Sequence, residues 1–391
     1  MKIASRMENL SPSVTMAITA LARELKAQGK DILSFSAGEP DFDTPEVIKE
    51  AAIKAIKDGH TKYTAVEGTI ETKKAIIKKL KKDHGLDYEL DEIIVSNGAK
   101  HSLFNLFQCL IEEGDEVIIP APYWVTYPEQ VKFSDGVPVF IETDDSTEFK
   151  ITAEQLKAAI TDKTKILLLN TPSNPTGAVY SKEELLSLAE VLKGTDILVF
   201  TDEMYEKIMY DGKEFTAVAS VSDDMFQRTV TINGISKAVA MTGWRYGYIA
   251  TPHKALVKAM TKLQGQVTSN VNSVTLEAAV AALDGSADAD IEVMRKEFEK
   301  RRNVAVESFN AINGISCVVP QGAFYLFVNI KDIGGDSMKF SADLLEKEGV
   351  AVVPGLAFGT EGYFRFSFAT DLATIEEGIR RIKKFVEENY S

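Results

Sequence analysis

The sequence predicts an α/β protein built on a mostly parallel central sheet, with a smaller α+β unit formed by its C-terminal part. Three observations carry this. From Thr44 to about Ala250, helical periods alternate with short β-rich runs. Several of those runs are apolar throughout, as strands covered by helices on both faces must be. Beyond residue 310 the texture changes to short, aromatic-rich strands and a closing amphipathic helix. With 391 residues the chain exceeds the roughly 250–300 that one core organises. Two units are therefore expected, a large one over 45–285 and a small one assembled from 1–44 and 286–391.

The elements follow in chain order. VTMAITALA (14–22) comes after Lys2 and Arg6 and invites comparison with a short signal segment. Two threonines interrupt it, and it runs on into RELKAQGK, so an amphipathic helix ending near Gly29 is the better reading. No apolar run approaches the ~18 residues that cross a bilayer, and a cytoplasmic protein is expected. DTPEVIKEAAIKAIKDG has Thr44 as N-cap, Pro45 at the first helical position and Gly59 just past the end. Strands follow at EIIVS (92–96), EVIIP (116–120), VPVFIE (137–142), KILLLN (165–170) and ILVFTDE (197–203). Helices are expected over AKHSLFNLFQCLIEEG (99–114) and SKEELLSLAEVLKG (181–194). Residues 252–310 are helical and charged, and EVMRKEFEKRRNVAVESFNAI is long enough to bridge two units. GISCVVP, AFYLFVNI, VAVVPG and YFRFSFA are short strands, and LATIEEGIRRIKKFVEENY closes the chain as a helix.

Composition narrows the function. The formal charge of −14 repels a polyphosphate backbone, which argues against nucleic acid. Cys109 and Cys317 stand far apart in apolar surroundings and suit reduced thiols in a reducing compartment. The four histidines show no metal-ligand spacing, so no metal is expected.

In an open α/β sheet, ligands bind beyond the carboxyl ends of the strands. Three turns lie there. VSNGAKHS opens a helix, so the backbone N–H groups of Gly98, Ala99 and Lys100 suit a phosphate, although the glycines of a P-loop are missing. NTPSNPTGAVY (170–180) is a loop stiffened by two prolines. VFTDEMYEK puts Asp202 at the end of an apolar strand and Tyr205 three residues later. By itself Asp202 is equally a strand-end cap and a functional carboxylate. NGISKAVAMTGWRYG then sets Lys237 among small side chains, with Arg245 eight residues on. A lone lysine is usually a surface residue. Desolvated in a small-residue pocket, its amine is free to attack an aldehyde, and Arg245 can clamp a dianionic phosphate. Pyridoxal phosphate, with an aldehyde, a phosphate and a protonatable ring nitrogen, would use all of these groups.

GEPDFDTP, PYWVTYPEQ, PSNPTG and MTGWRYGY occur in this order along the chain, which resembles the class I aminotransferases of the aspartate aminotransferase family, bacterial branch. The resemblance covers nearly the whole chain and implies the fold type I of pyridoxal-phosphate aminotransferases. It implies that Lys237 condenses with the cofactor aldehyde and later carries the proton from the substrate Cα. Asp202 would pair with the pyridine nitrogen, Tyr205 and Asn174 would bond the ring hydroxyl, and Trp124 would stack on the ring. The phosphate would be held by the Gly98, Ala99 and Lys100 backbone, Ser236, Arg245 and the partner subunit's Tyr63, which makes a homodimer the expected state. Arg365, with Gly38 and Asn174, would grip the substrate α-carboxylate. Ser13, Thr15 and Lys100 would meet a distal carboxylate, implying L-aspartate + 2-oxoglutarate = oxaloacetate + L-glutamate by a ping-pong mechanism. Ser11 replaces a basic residue of prephenate-using relatives. Gly234 replaces a hydroxyl residue of animal relatives, GTIETKKAI lacks a leucine-arginine pair common in the family, and Phe368 stands where relatives often have tyrosine. An apolar pocket lined by Phe35, Phe324 or Tyr325 would instead suit aromatic, alanine or kynurenine transamination. A C–S β-lyase and a cofactor-binding regulator are the remaining alternatives on this fold.

Overall fold

The computed structural model describes residues 1–390. In chain order, α1 (Val14–Ala27), the short strand β1 (Leu33–Ser34), α2 (Glu46–Lys57) and α3 (Ile70–His84) lead into β2 (Ile93–Ser96) and α4 (Ala99–Leu110). Then come β3 (Glu116–Ala121), α5 (Thr126–Phe133), β4 (Val137–Glu142), α6 (Ala153–Ala159), β5 (Thr164–Asn170), α7 (Lys182–Leu192) and β6 (Leu198–Asp202). They are followed by α8 (Asp223–Arg228), β7 (Thr229–Gly234), β8 (Gly247–Ala250), α9 (Lys254–Val267), α10 (Ser273–Leu283) and the 23-residue α11 (Asp288–Asn310). The C-terminal part holds β9 (Ser316–Cys317), β10 (Tyr325–Asn329), α12 (Ser337–Glu348), β11 (Val350–Ala351), β12 (Val353–Pro354), β13 (Tyr363–Ser367) and α13 (Leu372–Asn389). No helix among the described residues is long and apolar enough to cross a membrane.

The main sheet runs β2-β8-β7-β6-β5-β3-β4 and is parallel from β7 to β4. Only β8 runs against its neighbours β2 and β7. The segment between β7 and β8 holds no α-helix, only a 3-10 turn at Thr242–Trp244, so the chain turns back without a crossover. Both faces of the sheet are covered. In β5, Ile166 and Leu168 pack with Leu106, Phe107 and Met260 from α4 and α9, while Leu167 and Leu169 pack with Leu185 and Leu188 from α7. That double burial is why the strand is apolar without alternation from Ile166 to Leu169.

The second sheet, β12-β13-β10-β9, is antiparallel, and β1 pairs in parallel with β11. Its core is aromatic. Phe298 and Phe309 of α11, Phe340 of α12 and Phe385 of α13 meet Phe364 and Phe366 of β13. Met204, Tyr205 and Ile208, from the turn after β6, join this cluster. The same turn is anchored from the other side, where buried Glu206 accepts from Lys79 and from His84 of α3. Burial alone would raise the Glu206 carboxyl, but Lys79 and His84 beside it hold it well below the usual carboxylate range.

Two details differ from the sequence reading. Thr44 does not cap α2, which starts at Glu46 behind an extended Pro45. Its hydroxyl is taken by tertiary contacts, donating to the Ala240 carbonyl at 2.8 Å and accepting from Trp244 Nε1 at 3.1 Å. α4 stops at Leu110 rather than Gly114 because Ile111 is already extended.

Candidate active site

The carboxyl ends of β5, β6 and β7 open into a cavity of about 290 Å³. Asp202, the last residue of β6, is buried on its wall. Tyr127 Oη donates to Asp202 Oδ2 at 2.8 Å, and the Met204 amide donates to Oδ1 at 3.2 Å. Burial pushes the Asp202 carboxyl up to about 6, with those two donors pulling against it. Asn170, at the end of β5, holds the neighbouring loop. Its Nδ2 donates to the Asp202 carbonyl at 2.9 Å, and its Oδ1 accepts from the Asn174 amide at 2.7 Å. Asn174 is thereby turned into the cavity.

Lys237 lies on the segment after β7 and lines the cavity beside Ser236. Its Nζ donates to the Gly38 carbonyl and stands 6.0 Å from the Tyr205 ring centroid. Burial lowers the amine to about 8, with nearby Glu39 opposing the fall. Glu39 is itself fixed by the Thr242 hydroxyl at 2.8 Å.

One end of the cavity is built for an anion. Ala99 and Lys100 line it at the start of α4, where helix amides point outward. Gly98 contributes differently from the expectation. It lies outside the cavity lining, and its amide donates to the Ser96 carbonyl at 2.7 Å. What Gly98 supplies is room, since at φ +88° a Cβ there would lie 2.4 Å from Arg245 Nη2. Arg245 has a left-handed backbone at φ +57° and donates to the Thr242 carbonyl at 2.7 Å.

The other end holds Arg365 of β13, which is 2% exposed. Nη1 donates to Asn174 Oδ1 at 2.9 Å and Nη2 to the Ser36 carbonyl at 2.6 Å, while Nε has no partner among the described residues. No carboxylate pairs with it among the described residues. A buried guanidinium with a spare donor calls for an anionic ligand. A further unpaired group is the Thr15 hydroxyl, buried at the cavity edge. Lys100 Nζ stands 4.9 Å from the Trp124 ring, and Trp124 meets Tyr127 edge-on at 5.4 Å.

Of the expected residues, Ser13 and Tyr63 also lie outside the cavity. Ser13 is spent as the N-cap of α1, accepting from the Met16 amide, and Tyr63 is 88% exposed. Phe35 and Phe324 are core residues rather than pocket walls. Phe35 stacks on Phe366 at 4.1 Å, and Phe324 packs on Phe298 at 5.3 Å, while alternation along the chain turns Tyr325 to the cavity. Sequence reasoning missed Tyr127, Asn170 and Thr242. Each acts on a partner remote in sequence or through its own backbone, and PYWVTYPEQ was the one available pointer to Tyr127.

A buried amine between Arg245 at a helix N-terminus and the buried Arg365, at the carboxyl ends of a mostly parallel sheet, is an arrangement suited to small anionic ligands and to chemistry at the amine. Residues 30–382 match the model of the family described as aminotransferase class I and II, and the chain belongs to that family and is an aminotransferase. The aspartate aminotransferase of Geobacillus stearothermophilus is 50% identical over 392 residues, covering 99% of each chain. An aspartate/prephenate aminotransferase of Nitrosomonas europaea is 47% identical, over 98% of this chain and 99% of its own. Among solved structures, the aspartate aminotransferase from Rhizobium meliloti is similar with a TM-score of 0.96 at 45% identity, covering 100% of both chains.

Proposed function

We propose that the chain binds pyridoxal 5′-phosphate at Lys237 and exchanges the amino group of L-aspartate with 2-oxoglutarate, giving oxaloacetate and L-glutamate in a ping-pong sequence. The observation that carries this reading is a single cavity in which the Lys237 amine lies between an anion end at Arg245 and a buried, unsatisfied Arg365. The donor set fits the cofactor at each of its handles: Ala99, Lys100, Ser236 and Arg245 for the phosphate, Asp202 for the ring nitrogen, Tyr205 and Asn174 for the ring hydroxyl, and Trp124 for the ring face. When bound, the cofactor supplies an aldehyde to take up the amino group and a ring to store the electron pair released at the substrate Cα.

Arg365 fixes the α-carboxylate, which leaves the Cα–H bond within reach of the Lys237 amine. Lys237 removes that proton as general base and returns it as general acid, a task suited to an amine lowered to about 8. Asp202, buried and oriented by Tyr127, keeps a proton at the ring nitrogen. Thr15 and Lys100 offer a hydroxyl and a cation to a distal carboxylate, which favours aspartate and glutamate over apolar donors. Ser11 offers no cation, which argues against prephenate. The exposed Tyr63 supports a homodimer in which each subunit lends that phenol to the partner's phosphate end. We further propose that residues 45–285 form the large unit and 1–44 with 286–391 the small one. Cys109 and Cys317 are free, which suits the cytoplasm.

The test is to load the purified protein with pyridoxal 5′-phosphate, add single amino acids and follow the visible absorbance. Aspartate and glutamate are expected to convert fastest, with no conversion in Lys237→Ala. Alanine or phenylalanine winning would move the specificity elsewhere, and no conversion by any donor would overturn the transaminase reading of this site.

A further inference from the structure

Tyr205 and Arg365 have roles in the proposed reaction, and the side chain between them has none yet. On the second sheet Arg365 pairs with Phe327 and Ser367 pairs with Tyr325, which makes Arg365 and Tyr325 diagonal neighbours. The guanidinium carbon of Arg365 stands 4.5 Å from the Tyr325 ring centroid. On its other side the Tyr325 hydroxyl lies 2.8 Å from the Tyr205 hydroxyl. Both phenols are buried, and among the described residues each hydroxyl bonds only to the other. Space for the Tyr325 hydroxyl is reserved by Gly38, where a Cβ would lie 3.0 Å from it.

We propose that Tyr325 is a positioning residue that donates its hydroxyl proton to Tyr205 and so couples the α-carboxylate grip at Arg365 to the cofactor's ring hydroxyl. This rests on the pyridoxal 5′-phosphate reading above. A hydroxyl that accepts one hydrogen bond becomes a stronger donor in the next. Tyr205, accepting from Tyr325, therefore gives a stronger bond to the ring oxygen. Arg365 over the Tyr325 ring strengthens the first bond of that chain, and a carboxylate landing on Arg365 offsets its charge and weakens the chain. Weaker donation leaves more negative charge on the ring oxygen, which holds the proton on the Lys237 nitrogen more tightly. Loss of the Tyr325 hydroxyl acts in the same direction.

The experiment is a double-mutant cycle read on the pH midpoint of the visible absorbance of the loaded enzyme, with succinate affinity measured beside it. Tyr325→Phe keeps the ring that packs against Arg365. It is expected to raise the midpoint by about 0.3–1 unit, the span of one neutral hydrogen bond felt through a second. Tyr205→Phe raises it further, and the double variant equals Tyr205→Phe alone. Succinate affinity in Tyr325→Phe stays within about threefold, because Asn174 and Ser36 still hold Arg365. An unmoved midpoint, additive shifts in the double variant, or a large loss of succinate affinity without a midpoint shift overturns the coupling. A parent protein with no pH-dependent visible band after loading overturns the cofactor reading itself.

Discussion

The Lys237 amine offers a direct test, because its titration can be read before any substrate is added. Burial brings it to about 8 from an ordinary 10.5. At pH 7 roughly 9% of the amine is then uncharged, against roughly 0.03% for an ordinary lysine, a gain of about 300-fold in attacking species. Cofactor-free protein mixed with pyridoxal 5′-phosphate in a stopped-flow instrument should develop its visible band at a rate that climbs about tenfold per pH unit below 7. The rate should level off above about 8.5, with a midpoint near 8. Measurements should start at about pH 6.5, above the second ionisation of the phosphate near 6. Glu39 opposes the lowering, so Glu39→Gln should move the midpoint down. A rate that keeps climbing to pH 10, or one indifferent to pH between 6.5 and 8, would refute the desolvated-amine argument.

The remaining predictions concern groups around the site. Tyr127→Phe removes a hydrogen bond that favours the Asp202 carboxylate, so in the cofactor-free protein the Asp202 titration, followed by carboxyl NMR, should rise above about 6. Lys79→Met leaves buried Glu206 with His84 alone and should cost about 3–5 kcal/mol. At about 2.1 cal/mol/K per residue over 391 residues, calorimetry should show Tm falling by about 4–6 °C. Adding Glu206→Gln to that variant should recover part of the loss, and no recovery would speak against the uncompensated-charge explanation. Gly98→Ala strains a backbone at φ +88° and drives a Cβ against Arg245, so equilibrium dialysis should show pyridoxal 5′-phosphate binding weakened by about 10–100-fold.

The parts of the site that were legible in the sequence are those whose signal is local. Lys237 and Arg245 lie eight residues apart on one segment, and Asp202 ends an apolar strand, so each could be placed from its own neighbourhood. Arg365 came from the family resemblance, and its place as a charge inside the aromatic run YFRFSFA agrees with a special role. Tyr127, on helix α5, was not legible, because its reason is Asp202, 75 positions away at the end of β6. Phe324 and Tyr325 show the same limit in miniature, since only the pairing of β10 with β13 decides which of two adjacent aromatics meets the cavity. Thr44 and Gly98 were assigned the commonest local job of their residue type. In both cases a contact from a distant segment, at Ala240 and at Arg245, decides the role instead.

The stretch from Ser36 to Thr44 touches nearly everything that must stay in register. Ser36 lends its carbonyl to Arg365, Gly38 to Lys237, and Asp41 meets Arg301 at 2.7 Å, while Glu39 and Thr44 hold Thr242 and Ala240. The first two anchors are two residues apart, so covalent geometry caps their separation at about 7 Å. That length does not depend on how the two sheets sit against each other. The stretch works as a ruler, metering from one peptide chain the gap between the Arg365 guanidinium and the Lys237 amine.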